Sequence, residues 1–229
     1  MSRVMKFRRF VEFFEALPKG KLVLDYGAGD RPLEPMLKSR FENYIAADYE
    51  PANAAHARRP DIPIVDNNID VESGTVDCVV LTEVMEHLYE PKEVLSEIYR
   101  ILKPGGALIG TVPFAIGEHE QPYDFHRYTS FALIRMFEDT GFTVNKLEYV
   151  GDSVGVAISA ISRVFGIVTK LLHKLKLAPL ANVVQLIFRL PELVYYAAVR
   201  VGADPGRIGY YRNYPFGFAF SVTKPGGNE

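Results

Sequence analysis

From about residue 21 the apolar and polar positions fall into two alternating rhythms. KLVLDY, NYIAAD and IPIV are short apolar runs that read as strands. VDCVVL is continuous enough to be buried on both faces of a parallel sheet. Between and after these runs the period lengthens. EPKEVLSEIYRIL places Val94, Leu95, Ile98, Ile101 and Leu102 on one face, which predicts an amphipathic helix stopped by KPGG. The segment after Asp30 reads as a helix with Pro32 in its first turn. ALIGTV predicts a strand, SFALIRMFEDTG a helix capped by Thr129 or Ser130, and FTVNKLEYV another strand. Strand–helix alternation at this spacing implies a doubly wound α/β sheet.

The rhythm breaks over residues 151–213, and FGFAFSVTK then offers a last strand. The expectation is one domain over residues 1–229, with 151–213 as an apolar helical insertion or cap before the final strand. On a helical wheel Val154, Ile158, Ile161, Val164, Phe165, Val168, Leu171, Leu172 and Leu175 share a face. Ser159, Arg163, Lys170, His173 and Lys174 share the other, the pattern of an interfacial helix. LAPLANVVQLIFRLPELVYYAAV follows, broken by Pro179 and Pro191. The two stretches suit either a membrane surface and a lipid-linked acceptor, or a cap or homodimer interface. Lys6, Arg8 and Arg9 beside Phe7, Phe10, Phe13 and Phe14 suit the same face, and Tyr210, Tyr211, Tyr214 and Phe216 are expected to close an acceptor pocket.

Composition narrows this little. A net charge of -2 over 229 residues gives no electrostatic case for nucleic acid. The one cysteine, Cys78, lies inside an apolar run and is expected in the core of a protein from a reducing compartment. The N-terminal segment carries Glu12 and Glu15 and does not read as a signal peptide, so the expected location is cytoplasmic, or peripheral at a membrane.

The chemistry starts at LDYGAGD, where Asp25, Gly27, Ala28 and Gly29 follow the first strand. Glycines there let a backbone turn sharply and a ligand come close. Pro32 takes the place of the third glycine of a dinucleotide fingerprint, which argues against NAD. Asp48 closes the second strand, where a carboxylate can accept from both hydroxyls of a ribose. The third strand ends at Asp66, Asn67 and Asn68, polar groups suited to an adenine edge, and the fourth at Thr82 and Glu83.

LVLDYGAGD, AADYEP, DCVVLTEVMEHL and EIYRILKPGGALIGTVP together resemble the class I S-adenosylmethionine-dependent methyltransferases, in particular the methyltransferase type 11 group. The resemblance covers roughly residues 15–150. It implies a Rossmann-like mixed sheet of seven strands with the last antiparallel, and S-adenosylmethionine as cofactor with S-adenosylhomocysteine as product. Asp25, Gly27 and Gly29 would line the methionine end, Asp48 would hold the ribose and Tyr49 would flank the adenine. Asp66 and Asn67 would meet the adenine amino group, and Thr82 would offer backbone.

Methyl transfer to a hydroxyl also needs a group that takes a proton. His87 follows the fourth strand, either as base or as a residue that orients its loop, while Glu83 and Glu86 are expected to be structural or solvated. HEQPYDFHRYT, residues 119–129, follows the fifth strand and reads as a lid or acceptor wall. Tyr123 and Tyr128 offer stacking or a hydrogen bond, Asp124 and Arg127 an internal lock, and His119 and His126 a base. The H-x6-H spacing lacks a third ligand, so no metal is expected. The expected function is methyl transfer to a small or lipid-linked acceptor at oxygen. The alternative is a non-catalytic module that keeps the cofactor while binding a partner or a membrane surface.

Overall fold

The computed structural model describes residues 19–49, 58–200 and 214–226. The aromatic-basic N-terminal stretch and Tyr210 and Tyr211 lie outside the described residues. In chain order the elements are β1 (Gly20–Tyr26), α1 (Glu34–Lys38), β2 (Phe41–Tyr49), β3 (Ile62–Val65), β4 (Asn68–Ile69), β5 (Val76–Thr82), α2 (Pro91–Ile101) and β6 (Leu102–Pro113). Then follow α3 (Ser130–Thr140), β7 (Thr143–Val150), α4 (Ser153–Lys174), α5 (Ala178–Arg200) and β8 (Gly217–Thr223).

The strands form one sheet in the order β4-β3-β2-β1-β5-β6-β8-β7. β1 pairs in parallel with β2 and β5, β2 with β3, and β5 with β6. The end of β8 meets the start of β6, where Gly105 N–H donates to Lys224 O and Lys224 N–H to Gly106 O, so β8 runs back antiparallel. The sheet has eight strands rather than seven. Asp66 and Asn67 both hold left-handed backbone, φ 50° and 63°, which makes a two-residue hairpin that folds Asn68 and Ile69 onto β3. The extra strand is clamped from α2: Ile69 N–H donates to Glu97 Oε1 at 3.0 Å, and Arg100 donates to Ile69 O and to Glu97.

Two further expectations shift. α2 stops at Ile101, because Leu102 turns to extended backbone and KPGG becomes the start of β6. Pro32 precedes α1, and the proline in that helix's first turn is Pro35. One face of the sheet is sealed by Leu33, Leu37 and Phe41 against Val23, Cys78, Val80, Ala107 and Ile109. On β6, a Cβ at Gly110 would run into the Leu81 carbonyl oxygen and stand 2.7 Å from Phe220 Cζ, so the residue must be glycine for β6 and Phe220 to approach.

The chain divides into a unit built on the sheet and a second unit that includes Tyr149–Gly217. In the second unit α4 and α5 form an antiparallel pair. Asp152 caps α4 by accepting from Gly155 N–H at 2.9 Å, and its other oxygen accepts from Tyr195 Oη at 2.8 Å. The wheel separated an apolar from a polar face; the helix pair takes residues of both into its contact and leaves much of the apolar face exposed. Gly155, Ser159 and Thr169 are buried, Phe165 stacks on Phe188, and Ser162 donates to Phe188 O. Ile161, Val164, Ile167, Leu171, Leu186 and Leu193 stand exposed. Small side chains let the two backbones approach, and branched ones do not, which is why the small polar stripe makes the contact. Phe216 is buried and Tyr214 exposed. Ser153–Lys174 is by length and composition long and apolar enough to cross a membrane.

Candidate active site

The carboxyl ends of the parallel strands carry nearly all the chemistry. β1 ends in a turn whose Gly27 and Gly29 have φ of 70° and 50°. Gly27 and Ala28 N–H groups both donate to Ala47 O, which ties this turn to the end of β2. A Cβ on Gly27 would stand 2.5 Å from Val84 Cγ2, so the same turn packs tightly on the segment that follows β5. Asp48 lies beside it: its Oδ2 accepts from Gly29 N–H and its Oδ1 from Tyr49 N–H, each at 2.8 Å. A carboxylate offers about four lone-pair positions, so two remain for a vicinal diol.

Asp25 is buried under this turn, and burial pushes its carboxyl up to about 7 despite the hydrogen bond from Tyr44 Oη at 2.9 Å. Tyr26, Tyr49 and Asn67 form a chain: Tyr26 and Tyr49 hydroxyls stand 2.9 Å apart, Tyr49 donates to Asn67 Oδ1, and Asn67 donates to Glu93. Burial raises both phenols above their ordinary range. Asp66 is on the exposed hairpin turn beside Asn67. Thr82 Oγ1 is buried with no hydrogen-bond partner among the described residues, a polar atom a ligand would satisfy. Asp25, Gly27, Ala28, Gly29, Asp48, Tyr49, Asn67 and Thr82 thus sit on adjoining strand ends, and this donor set fits a nucleoside cofactor. Asp66 stands further out.

The second cluster follows β5. Glu83 closes the strand in left-handed backbone, φ 56°, and accepts from Thr111 Oγ1 at 2.9 Å. Met85–His87 then make one tight helical turn, onto which the residue 119–129 segment folds. Phe125 and His126 N–H groups donate to Glu86 O, and Tyr128 Oη donates to Met85 O. Tyr128 therefore pins the lid rather than facing an acceptor, while the Tyr123 ring is exposed. Arg127 grips Asp124 with two bonds of 2.6 and 2.7 Å and holds its carboxyl well below the usual range. Asp124 in turn accepts from His119 N–H.

Between these pieces the structure brings together a group the sequence did not show. Glu86 is fully buried, not solvated, and its Oε1 lies 3.8 Å from both His87 Nε2 and His119 Nε2. His87 Nδ1 is 2.7 Å from Tyr123 O, so Nδ1 carries the proton and Nε2 presents a lone pair. His119 Nδ1 lies 3.3 Å from Asp124 Oδ2 and from Gly117 O, which orients that ring the same way. One donor atom from each of the three residues lies within 4.8 Å of the others, a set that can pass a proton or hold a cation. The available sequence signal was the adjacent pair Glu86-His87. His126 stands apart from the three, with Nε2 buried and without a hydrogen-bond partner among the described residues.

A mixed sheet with a glycine turn and Asp48 at the ends of β1 and β2 and a carboxylate–histidine cluster after β5 fits the resemblance to S-adenosylmethionine-dependent methyltransferases. The model of a family described as a methyltransferase domain matches residues 2–147, and the chain belongs to that family. A probable S-adenosylmethionine-dependent methyltransferase of Mycolicibacterium smegmatis is 29% identical over 165 residues, covering 66% of this chain and 64% of the relative. A demethylmenaquinone methyltransferase of Renibacterium salmoninarum is 26% identical over 114 residues, with 48% of each chain covered. The chain thus spans about half to two thirds of these relatives' length. Among solved structures, a SAM-dependent methyltransferase from Archaeoglobus fulgidus superposes with a TM-score of 0.59 at 16% identity, covering 97% of this chain and 95% of that one, a likeness of fold.

Proposed function

We propose that the protein transfers the methyl group of S-adenosylmethionine to an oxygen of a lipid-linked acceptor, working at a membrane surface. The observation that carries the acceptor class is the α4–α5 pair, which turns Ile161, Val164, Ile167, Leu171, Leu186 and Leu193 outward and its hydroxyls inward. A water-facing helix pair has the opposite arrangement. Arg163 and Arg189 are exposed near the middle of the helices. Each would cost about 2.5–3.5 kcal/mol at the centre of a bilayer, which favours a pair lying in the interface over one that spans. The similarity to a demethylmenaquinone methyltransferase, whose name denotes a lipid quinone, agrees with this class of acceptor.

When bound, the cofactor supplies an activated methyl on a sulfonium. Asp48 and the Gly27–Gly29 turn would hold its ribose and Asp25 its cationic end. An acceptor hydroxyl would form the new C–O bond as the C–S bond breaks, leaving a neutral thioether. The proton would go to an imidazole Nε2 of the His87–His119 pair, with buried Glu86 stabilising the imidazolium. The lid, tied by Asp124 and Arg127, positions His119 and excludes water.

The test supplies the full chain with methyl-labelled S-adenosylmethionine and a total lipid extract. Label in the organic phase, abolished by His87→Gln with His119→Gln while cofactor binding survives, is expected. Tight cofactor binding with no label in any lipid or water-soluble acceptor would leave a non-catalytic binding module instead.

A further inference from the structure

Between α4 and α5 lies a cavity of about 220 Å³ whose lining is half polar and half apolar. Arg163, Arg189, Gln185 and Ser159 line it together with Phe165 and Phe188. Ser159 is 5% exposed, and its Oγ is buried with no hydrogen-bond partner among the described residues. Among the carboxylates whose side chains are described, none pairs with Arg163 or Arg189. Ser162 and Thr169, also in the lining, already donate to the carbonyl oxygens of Phe188 and Gly166.

Two guanidinium groups, an amide and a buried hydroxyl around one cavity call for an anion. A guanidinium held against apolar surface is stabilised by an acceptor that takes two parallel N–H bonds, which phosphate does. The charge of the segment points the same way. From Ser153 to Arg200 the sequence has Arg163, Lys170, Lys174, Lys176, Arg189 and Arg200 against the single acid Glu192, in a chain whose net charge is -2. The surroundings name the source of the phosphate. Stacked Phe165 and Phe188 form one wall, and Ile161, Val164, Leu186 and Ile187 are exposed on the same two helices. A free phosphate has no use for that apolar rim, whereas a phosphate carrying acyl or prenyl chains does.

We propose that the cavity between α4 and α5 binds the phosphate group of an anionic lipid. This rests on the membrane reading above and sharpens it: the helix pair recognises a headgroup as well as an apolar layer. It also supplies a class for the lipid-linked acceptor, one whose carrier bears a phosphate.

The test measures binding of the full chain to vesicles of phosphatidylcholine alone, and of phosphatidylcholine with phosphatidic acid, at fixed salt. Phosphatidic acid is expected to strengthen binding by at least about tenfold. The variant Arg163→Gln with Arg189→Gln should lose that gain and keep its binding to phosphatidylcholine. The variant Lys170→Gln, Lys174→Gln, Lys176→Gln should keep most of the gain. A full gain in the arginine variant, or its loss in the lysine variant, would show diffuse surface charge and overturn the site. Calorimetric titration with inorganic phosphate separates the two sources. Arginine-dependent phosphate binding without preference between the vesicles would reassign the cavity to a free phosphate and overturn the lipid claim. Failure to bind vesicles of either composition would overturn the membrane reading itself, whereas retained phosphatidylcholine binding with no response to phosphatidic acid would sink the cavity alone.

Discussion

The phenol of Tyr44, on β2, donates its hydrogen bond to Asp25 Oδ2 of β1 at 2.9 Å, beneath the glycine turn. One neutral donor does not offset burial, and the Asp25 carboxyl sits at about 7. Its folded value is raised, so the stability it contributes is full below the unfolded carboxylate range and is lost as pH rises through 7. A cationic ligand favours the ionised form, so cofactor binding should release a proton. Affinity for S-adenosylmethionine is expected to climb by up to about fivefold from pH 6 to 7 and about tenfold from pH 6 to 8, levelling off above that. Calorimetry in buffers of different ionisation enthalpy reads the proton directly; a flat profile with no proton release would remove Asp25 from the cationic end. Asp25→Asn should bind more weakly yet melt higher than the native protein at pH 8, by at least about 2 °C, because the buried charge is gone.

Asp48 stands differently, with both oxygens already holding one backbone donor. Asp48→Ala should weaken cofactor binding at least about tenfold, since a hydrogen bond to a charged group contributes about 1.5–3 kcal/mol. An unchanged dissociation constant would sink the ribose assignment.

Arg127→Lys keeps the charge and removes the two-bonded grip on Asp124. The lid residues should then lose register: kcat for the labelled transfer is expected to fall by roughly tenfold or more, with cofactor affinity within about twofold of native. Cofactor binding that falls in parallel would mean that the pair supports the whole fold. The Asp124 carboxyl is held low by Arg127, so the lid's stabilisation is present above the unfolded carboxylate range and is lost only in strong acid.

Chelation separates the two uses of Glu86, His87 and His119. If an imidazole takes the proton, dialysis against EDTA should leave methyl transfer unchanged. Activity lost on chelation and restored by zinc or manganese would mark the cluster as a metal centre.

Gly110→Ala places a methyl against the Leu81 carbonyl and Phe220. Backbone cannot yield there as a side-chain tip can, so the variant should lose about 2 kcal/mol or more in denaturant unfolding, or fail to accumulate. A midpoint equal to the native one would mean that β6 does not approach β5 and Phe220 this closely.

The chain order and face of most elements were legible in the sequence, because strand and helix periods are local properties of an apolar pattern. VDCVVL reads as β5 because both of its faces are covered, and Val94, Leu95, Ile98 and Ile101 bury as their spacing predicts. The glycine turn and Asp48 were legible for a related reason: each is tied to a strand end, and strand ends in a parallel sheet converge. What the sequence could not show depended on which distant residues meet. β4 exists because two left-handed residues fold it onto β3 and Glu97 holds it; Asp and Asn tolerate that conformation, but a two-residue strand is too short for an apolar pattern to show. Glu86 reads as an ordinary turn carboxylate until the lid, some thirty residues later in the chain, buries it and brings His119 beside it. The helix wheel of α4 separated an apolar from a polar face, and the contact with α5 draws on both, Ser159 from one and Phe165 from the other. Periodicity separates two faces but is blind to which one the neighbour takes, and here α5 packs on the small polar stripe because backbones come closest there. The sequence determined the elements and the strand ends that carry the glycine turn and Asp48; the tertiary structure decided the meeting of Glu86, His87 and His119 and which face of the helix pair meets the outside.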